Sequence, residues 1–212
     1  MDRAISSIAS VLFVNGINRD INELKSEIIR KSIHMVIAVS PLMAGINKAA
    51  TVVLLFIGIL GYSCMEYLRL SGIKIPVISS ITSIASRPHD NGRFVMGPVT
   101  LGLGALIALL LYPSDAAMIA IYALAFGDSI ACLVGKVFGR LRPFFLFGKS
   151  IEGSIACFLV VFIITYAVSG SMYIALIAAF TAMAVEAFPL GDYDNLAIPL
   201  SVGLAVQIAL LF

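Results

Sequence analysis

Charge is what this chain has least of. Asp, Glu, Lys and Arg make up 12% of its 212 residues, and apolar types make up 60%. Soluble domains carry about 25% charge, so an ordinary soluble fold is excluded. Strict apolar–polar alternation is missing as well, which excludes the strands of an outer-membrane barrel. No linker or low-complexity stretch divides the sequence, so residues 1–212 are expected to form a single domain. The three cysteines, Cys64, Cys132 and Cys157, lie in apolar segments at no metal-site spacing. Neither a disulfide framework nor a zinc site is expected. A signal-peptide pattern is not visible, since Asp2 sits beside Arg3 and no cleavage site follows a clean apolar core. The familiar soluble nucleotide and hydrolase motifs GxGxxG, HExxH and GxSxG do not occur. Gly148-Lys149-Ser150 resembles the end of a P-loop, but Pro143 stands where its first glycine belongs, and no strand precedes it.

What is present is a series of long apolar runs. They predict an all-α, polytopic transmembrane helical bundle of about seven spans. The spans are placed at residues 33–46, 49–68, 95–112, 115–135, 154–169, 172–187 and 196–212. The first is short and is allowed to begin earlier. Residues 1–31 form an N-terminal interfacial segment. Within it, 4–17 reads as a short interfacial helix and 20–31 as an amphipathic helix lying on the membrane. A further short interfacial or re-entrant helix is expected over 77–86, and His89-Asp90-Asn91-Gly92 reads as a turn.

The cations orient the bundle. With the N-terminus in the cytoplasm, only Lys48 of the 14 Lys and Arg residues faces outward. The positive-inside rule then places the N-terminus and any site at the cytoplasmic face. The acids follow the same pattern. Glu66, Asp90, Asp128, Glu152, Glu186, Asp192 and Asp194 fall at inner ends or inner loops.

The richest stretch is Phe126 to Ser154. Asp128 interrupts an apolar run, and Gly135, Lys136, Gly139, Arg140 and Arg142 follow. After an aromatic patch come Gly148, Lys149, Ser150, Glu152 and Gly153. Asp128, Cys132, Lys136 and Arg140 recur every four residues and are expected on one helix face. The bland alternative makes Asp128 a buried partner of Lys136, and the later cations headgroup anchors. An ionisable group inside a span is by default a functional-site hypothesis. Elsewhere Arg30 and Lys31 precede the first span, and Glu186, Asp192, Asp194 and Asn195 surround the start of the last. Glu66 and Arg69 read as a local ion pair, and His34 as structural. Carboxylates beside Lys and Arg suit a metal-chelated nucleotide phosphate, with acids on Mg2+ and cations on the oxygens.

Four blocks carry a resemblance. They are Arg30-Lys31-Ser32-Ile33-His34; Gly127-Asp128 through Gly135-Lys136-Val137-Phe138-Gly139; Lys149-Ser150-Ile151-Glu152-Gly153-Ser154; and Glu186 with Asp194-Asn195-Leu196-Ala197-Ile198-Pro199. In this order they resemble the CTP-dependent lipid kinases: dolichol kinase, phytol kinase and the yeast-type diacylglycerol kinase. The 87–97 loop departs from that pattern. The resemblance implies transfer of the CTP γ-phosphate to a membrane lipid alcohol, of polyprenol or dolichol type, releasing CDP. It implies Asp128, Glu152 and Asp194 as Mg2+ ligands. Arg30, Lys31, Gly135, Lys136, Arg140, Lys149, Glu152, Gly153 and Asn195 are implied around the nucleotide. Asp128, Lys149 and Glu186 are implied in catalysis, with Glu186 orienting or deprotonating the acceptor. The expected partners are CTP, the lipid alcohol and the bilayer, with no nucleic acid. A CTP:lipid-phosphate cytidylyltransferase and a small-anion transporter are the alternatives.

Overall fold

The computed structural model describes residues 24–73 and 92–211. The helices expected over 4–17 and 77–86, the residues of 20–31 before Leu24, Arg87, and the turn at His89 to Asn91 lie outside the described residues. Among the described residues every regular element is helical. In chain order these are α1 (24–36), α2 (Val39–Leu70), α3 (Gly97–Leu111), α4 (Ser114–Val137), α5 (Ile151–Ser169), α6 (Met172–Glu186) and α7 (Asp194–Ala209). Six of the seven ranges placed from hydropathy fall on a helix within a few residues; 33–46 instead straddles the end of α1, a turn at 37–38 and the start of α2. Among the described residues, three stretches are long and apolar enough to cross a membrane: Leu24–Leu70, Ser114–Val137 and Ile151–Ser169. Gly97–Leu111 and Met172–Glu186 are apolar but shorter.

Leu24–Leu70 is not one straight rod. Asn47 leaves the helical region with φ −152° and ψ 99°. Its side-chain oxygen accepts from Ala50 N at 3.0 Å, and its carbonyl accepts from Thr51 Oγ1 at 2.9 Å. Asn47 is thus the N-cap of a new helical arm. Ile33 and Tyr62 border one groove, as do Met43 and Thr51. On a continuous helix Ile33 and Tyr62 would stand ~44 Å apart. The chain instead folds back at Asn47, and the two arms run alongside each other.

α4 is the central helix. In its most apolar 18-residue stretch 61% of residues are buried, against 6% in the Leu24–Leu70 hairpin. It packs on α5 and α7; α6 packs on α5 and α7, and α3 bridges α7 to α2. Small residues make these contacts close: Ala105, Ala108, Ala116, Ala120, Ala178 and Ala182 have no exposed surface. In lipid, where apolar surface gains little by leaving one apolar medium for another, such close packing is a main source of helix association.

Two local features position the site. The first is a π-helical turn over Ala123–Asp128 in the middle of α4. The wider turn shifts the downstream face, and turns of this kind gather at functional sites. The second is at Pro199 in α7. Lacking an N–H, it leaves the Asn195 carbonyl without its helical donor. Gly104 of α3 lies against that carbonyl, so that a Cβ there would collide with it. The Asn195 side chain donates to Thr100 Oγ1 at 2.9 Å and to Gly97 O at 3.3 Å. Tyr112 Oη donates to Leu200 O at 2.6 Å. These contacts fasten the start of α7 to α3.

Candidate functional site

Only a few short devices bring the polar side chains together. Ser150 caps α5 by accepting from Gly153 N at 3.1 Å. Just before it, Phe147 (φ 49°) and Gly148 (φ 90°) adopt left-handed backbone. That turn aims Lys149 at Glu186, and its Nζ donates to Glu186 Oε1 at 2.7 Å. Ser154 Oγ reaches Glu186 Oε2 at 3.4 Å. Burial works against the Lys149 cation, but the Glu186 carboxylate outweighs it, so the Lys149 pKa is raised. Lys149 stays protonated at any physiological pH.

On α4, Asp128 is buried and pairs through Oδ2 with Lys31 Nζ. His34 Nδ1 stands 3.5 Å from the same oxygen, too far for a firm hydrogen bond. One turn along, Cys132 Sγ donates to Glu27 Oε1 at 2.8 Å, and Lys136 Nζ to Glu27 Oε2 at 3.1 Å. Arg30 also pairs with Glu27. The bland pairing of Asp128 with Lys136 is therefore not the one adopted: each takes a partner from α1. Arg142 closes the end of α4, donating to Gly135 O at 3.0 Å and Gly148 O at 2.8 Å. At the head of α7, Asp194 is buried with Oδ1 lacking any hydrogen-bond partner.

These groups surround one cleft of about 370 Å³, within the size range of small-molecule sites. Arg30, Lys31, Asp128, Gly135, Lys136, Lys149, Gly153, Glu186 and Asp194 all line it. Five cations (these four and Arg142) face three carboxylates there. The wall is net positive, as a polyanion requires, and its carboxylates can meet a cation carried by that polyanion.

Several expected members stand elsewhere. Helix α4 ends at Val137, so Arg140 falls beyond it, exposed and off the shared face. Glu152 turns to the loop instead: its Oε1 accepts from Arg140 N at 2.9 Å and Leu141 N at 3.2 Å. Asn195 borders a neighbouring small pocket rather than the cleft, and its amide serves the α3–α7 contact. Gly135 and Gly153 line the cleft, but their closeness serves helix packing. A Cβ on Gly153 would meet Ala131 O at 2.7 Å and Gly135 Cα at 3.3 Å. Glu66 and Arg69 form the expected local pair at 2.8 Å, and Glu66 also accepts from Val95 N at 3.0 Å. Sequence reasoning missed Glu27, and it read His34 as structural. Their signal was spacing: Glu27, Lys31 and His34 recur at helical intervals and share a buried face.

The chain is 30% identical to the uncharacterized protein MJ1137 of Methanocaldococcus jannaschii over 188 residues, 85% of this chain and 93% of that protein. It belongs to the same family as that protein. It is also 31% identical over 136 residues to a protein named phytol kinase from Synechocystis sp.. That match takes in 60% of this chain and 57% of the kinase, so the chain matches little more than half of its length. No protein-family model matches the chain, and no solved structure matches it.

Proposed function

We propose that this protein is a lipid kinase that transfers the γ-phosphoryl group of CTP to the hydroxyl of a membrane lipid alcohol. The observation that carries the reading is the cleft, where five cations and three carboxylates from α1, α4, α6, α7 and the Arg142–Lys149 loop converge. The similarity to phytol kinase supports a lipid kinase. The preference for CTP rests on the resemblance of the four motif blocks, and a polyprenol or dolichol-type alcohol is one of the acceptors that the resembled kinases take. The reading places the cleft at the cytoplasmic face of about seven crossings, on the distribution of Lys and Arg along the sequence.

In the reaction the acceptor oxygen attacks the γ-phosphorus in line. A new O–P bond forms, the bond from the γ-phosphorus to the β,γ-bridging oxygen breaks, and CDP leaves with that oxygen. The hydroxyl proton passes to a carboxylate bordering the acceptor. Such a transfer asks the protein mainly for positioning and for offset of phosphate charge. Lys31, Lys149, Lys136 and Arg30 supply the charge, while Glu186 holds Lys149 in place. Among the described residues no cluster of three or more His, Cys, Asp or Glu side chains forms a metal cage. Mg2+ needs none, because one or two carboxylates with phosphate oxygens and waters suffice. Asp128 and Asp194, whose Oδ1 has no hydrogen-bond partner, line the cleft and fit that requirement; Glu152 does not line it. Bound there, Mg2+ would neutralise phosphate charge.

The test supplies purified protein with CTP or ATP labelled at the γ-position, a panel of lipid alcohols and, in separate samples, their monophosphates, and Mg2+ or chelator. Labelled lipid monophosphate with CDP supports the reading. Pyrophosphate with a CDP-lipid identifies a cytidylyltransferase instead, and no consumption of either nucleotide refutes both.

A further inference from the structure

The cleft does not end at Asp128 and Asp194. Those two residues, with Arg30 and Lys31, also wall a small pocket of about 40 Å³ on their far side. That pocket shares Ile33, Pro98 and Leu101 with a third space, a groove of about 550 Å³ between the two arms of the hairpin and α3. Cleft, pocket and groove thus adjoin in series, from a cationic wall, past Asp128, Asp194 and Asp192, to an apolar trough.

The trough has no spare polar group. Ser40 Oγ donates to Ile37 O at 2.7 Å, Thr51 Oγ1 to Asn47 O at 2.9 Å, and Tyr62 Oη to Val95 O at 3.1 Å. The rest of its lining is aliphatic, proline or glycine. From Ile33 to Met43 it follows ~15 Å of helix, about half the thickness of a bilayer's hydrocarbon core. Its lips, among them Val36, Met43 and Leu54, are exposed on the outside of the bundle, so a chain can enter sideways from the bilayer.

We propose that this groove holds the hydrocarbon chain of the acceptor alcohol, with the hydroxyl in the small pocket against Asp128 and Asp194. The assignment rests on the phosphotransfer reading and adds to it the acceptor's place. A bulk phospholipid chain differs from this occupant in lacking a free terminal hydroxyl to enter the pocket.

Gly58 supplies the test. It lines the groove, and a Cβ there meets no atom within 4 Å. Gly58→Phe therefore adds a ring at the groove wall, starting from a Cβ that meets no neighbour. The probe is a long-chain isoprenoid alcohol bearing a diazirine near its middle, photolysed with full-length protein in phosphatidylcholine nanodiscs. Labels are expected on α2 and α3, competed by unlabelled alcohol and not by added phospholipid. Gly58→Phe should cut labelling by about tenfold, the effect of ~1.4 kcal/mol of lost binding. Ile163→Phe, on the exposed outer side of α5, should leave it unchanged. Labels spread over α5 and α6, equal competition by phospholipid, or full labelling of a folded Gly58→Phe protein would each overturn the assignment. The readout needs no turnover. Groove labelling by a wild-type protein that phosphorylates no alcohol would refute the phosphotransfer reading and leave the groove as an alcohol-binding site.

Discussion

Asp128 and Lys31 come from helices 97 residues apart and bury their charges against each other, with side chains 6% and 5% exposed. Removing one charge strands the other in a poorly solvated place. Breaking such a pair costs ~3–5 kcal/mol, and replacing both partners by neutral side chains of similar size costs far less. Lys31 borders the cleft and can keep some water, so Asp128→Asn should fall near the lower end, ~3 kcal/mol. Lys31→Met, which leaves a carboxylate with only His34 nearby, should cost at least as much. The double variant Lys31→Met/Asp128→Asn should return to within ~1–2 kcal/mol of wild type, the residue being an amide short of hydrogen bonds. Equilibrium unfolding in mixed micelles over an SDS mole-fraction series measures all four proteins and closes the cycle. Phosphotransfer on the same preparations separates folding from chemistry. If Asp128 serves the phosphates and their cation, turnover falls by ~10²–10³-fold in Asp128→Asn and stays low in the double variant. Single variants within ~1 kcal/mol of wild type would refute the buried pair. A double variant with normal turnover would remove Asp128 from the chemistry.

Gly104→Ala should destabilise by ~2 kcal/mol, overpacking against the Asn195 backbone being only partly offset by better helix propensity; Gly61→Ala, with open space around it, should gain ~0.5–1 kcal/mol. The same micelle unfolding series compares them. Lys149→Met and Glu186→Gln should each reduce turnover strongly, and together no more than the worse of the two, since Glu186 acts by holding Lys149. Chelation should abolish transfer, with Mg2+ restoring it. Glu152→Gln should leave the Mg2+ concentration needed for half-maximal rate unchanged, while making the Arg140–Leu141 loop more protease-sensitive.

Hydropathy was enough to find α2 to α7, because each needs only a long apolar run, while α1 showed itself by amphipathic spacing. The reversal at Asn47 was legible for the same reason, and the structure adds that one asparagine makes it by capping the second arm. Asp128, Lys149 and Asp194 could be named from residue type alone, since charged groups beside apolar runs are few. Partners were harder to read. Nothing local tells Asp128 to choose Lys31 over Lys136, because the choice depends on α1 docking against α4. Arg140 was placed on the helix face by extrapolating a period past Val137, where the helix stops. Glu152 was implied as a metal ligand by the resemblance, yet it stands outside the cleft, with one oxygen held by two backbone N–H groups of a turn eleven and twelve residues upstream. Gly135 and Gly153 were read toward a ligand, and they face each other.

The wide turn at Ala123–Asp128 has a consequence for comparing relatives. It holds one residue more than a regular turn, and everything beyond it on α4 is rotated accordingly. Winding the same residues as an ordinary helix would swing Asp128, Cys132 and Lys136 aside by ~100°, whereas a relative one residue shorter there would keep them in place with no wide turn at all. Hydropathy plots, span counts and the motif itself would look untouched. Two sequences that seem equivalent by composition could therefore differ in whether this stripe meets α1 at all. An alignment gap inside those six positions is the first thing to inspect before assigning one relative's chemistry to another.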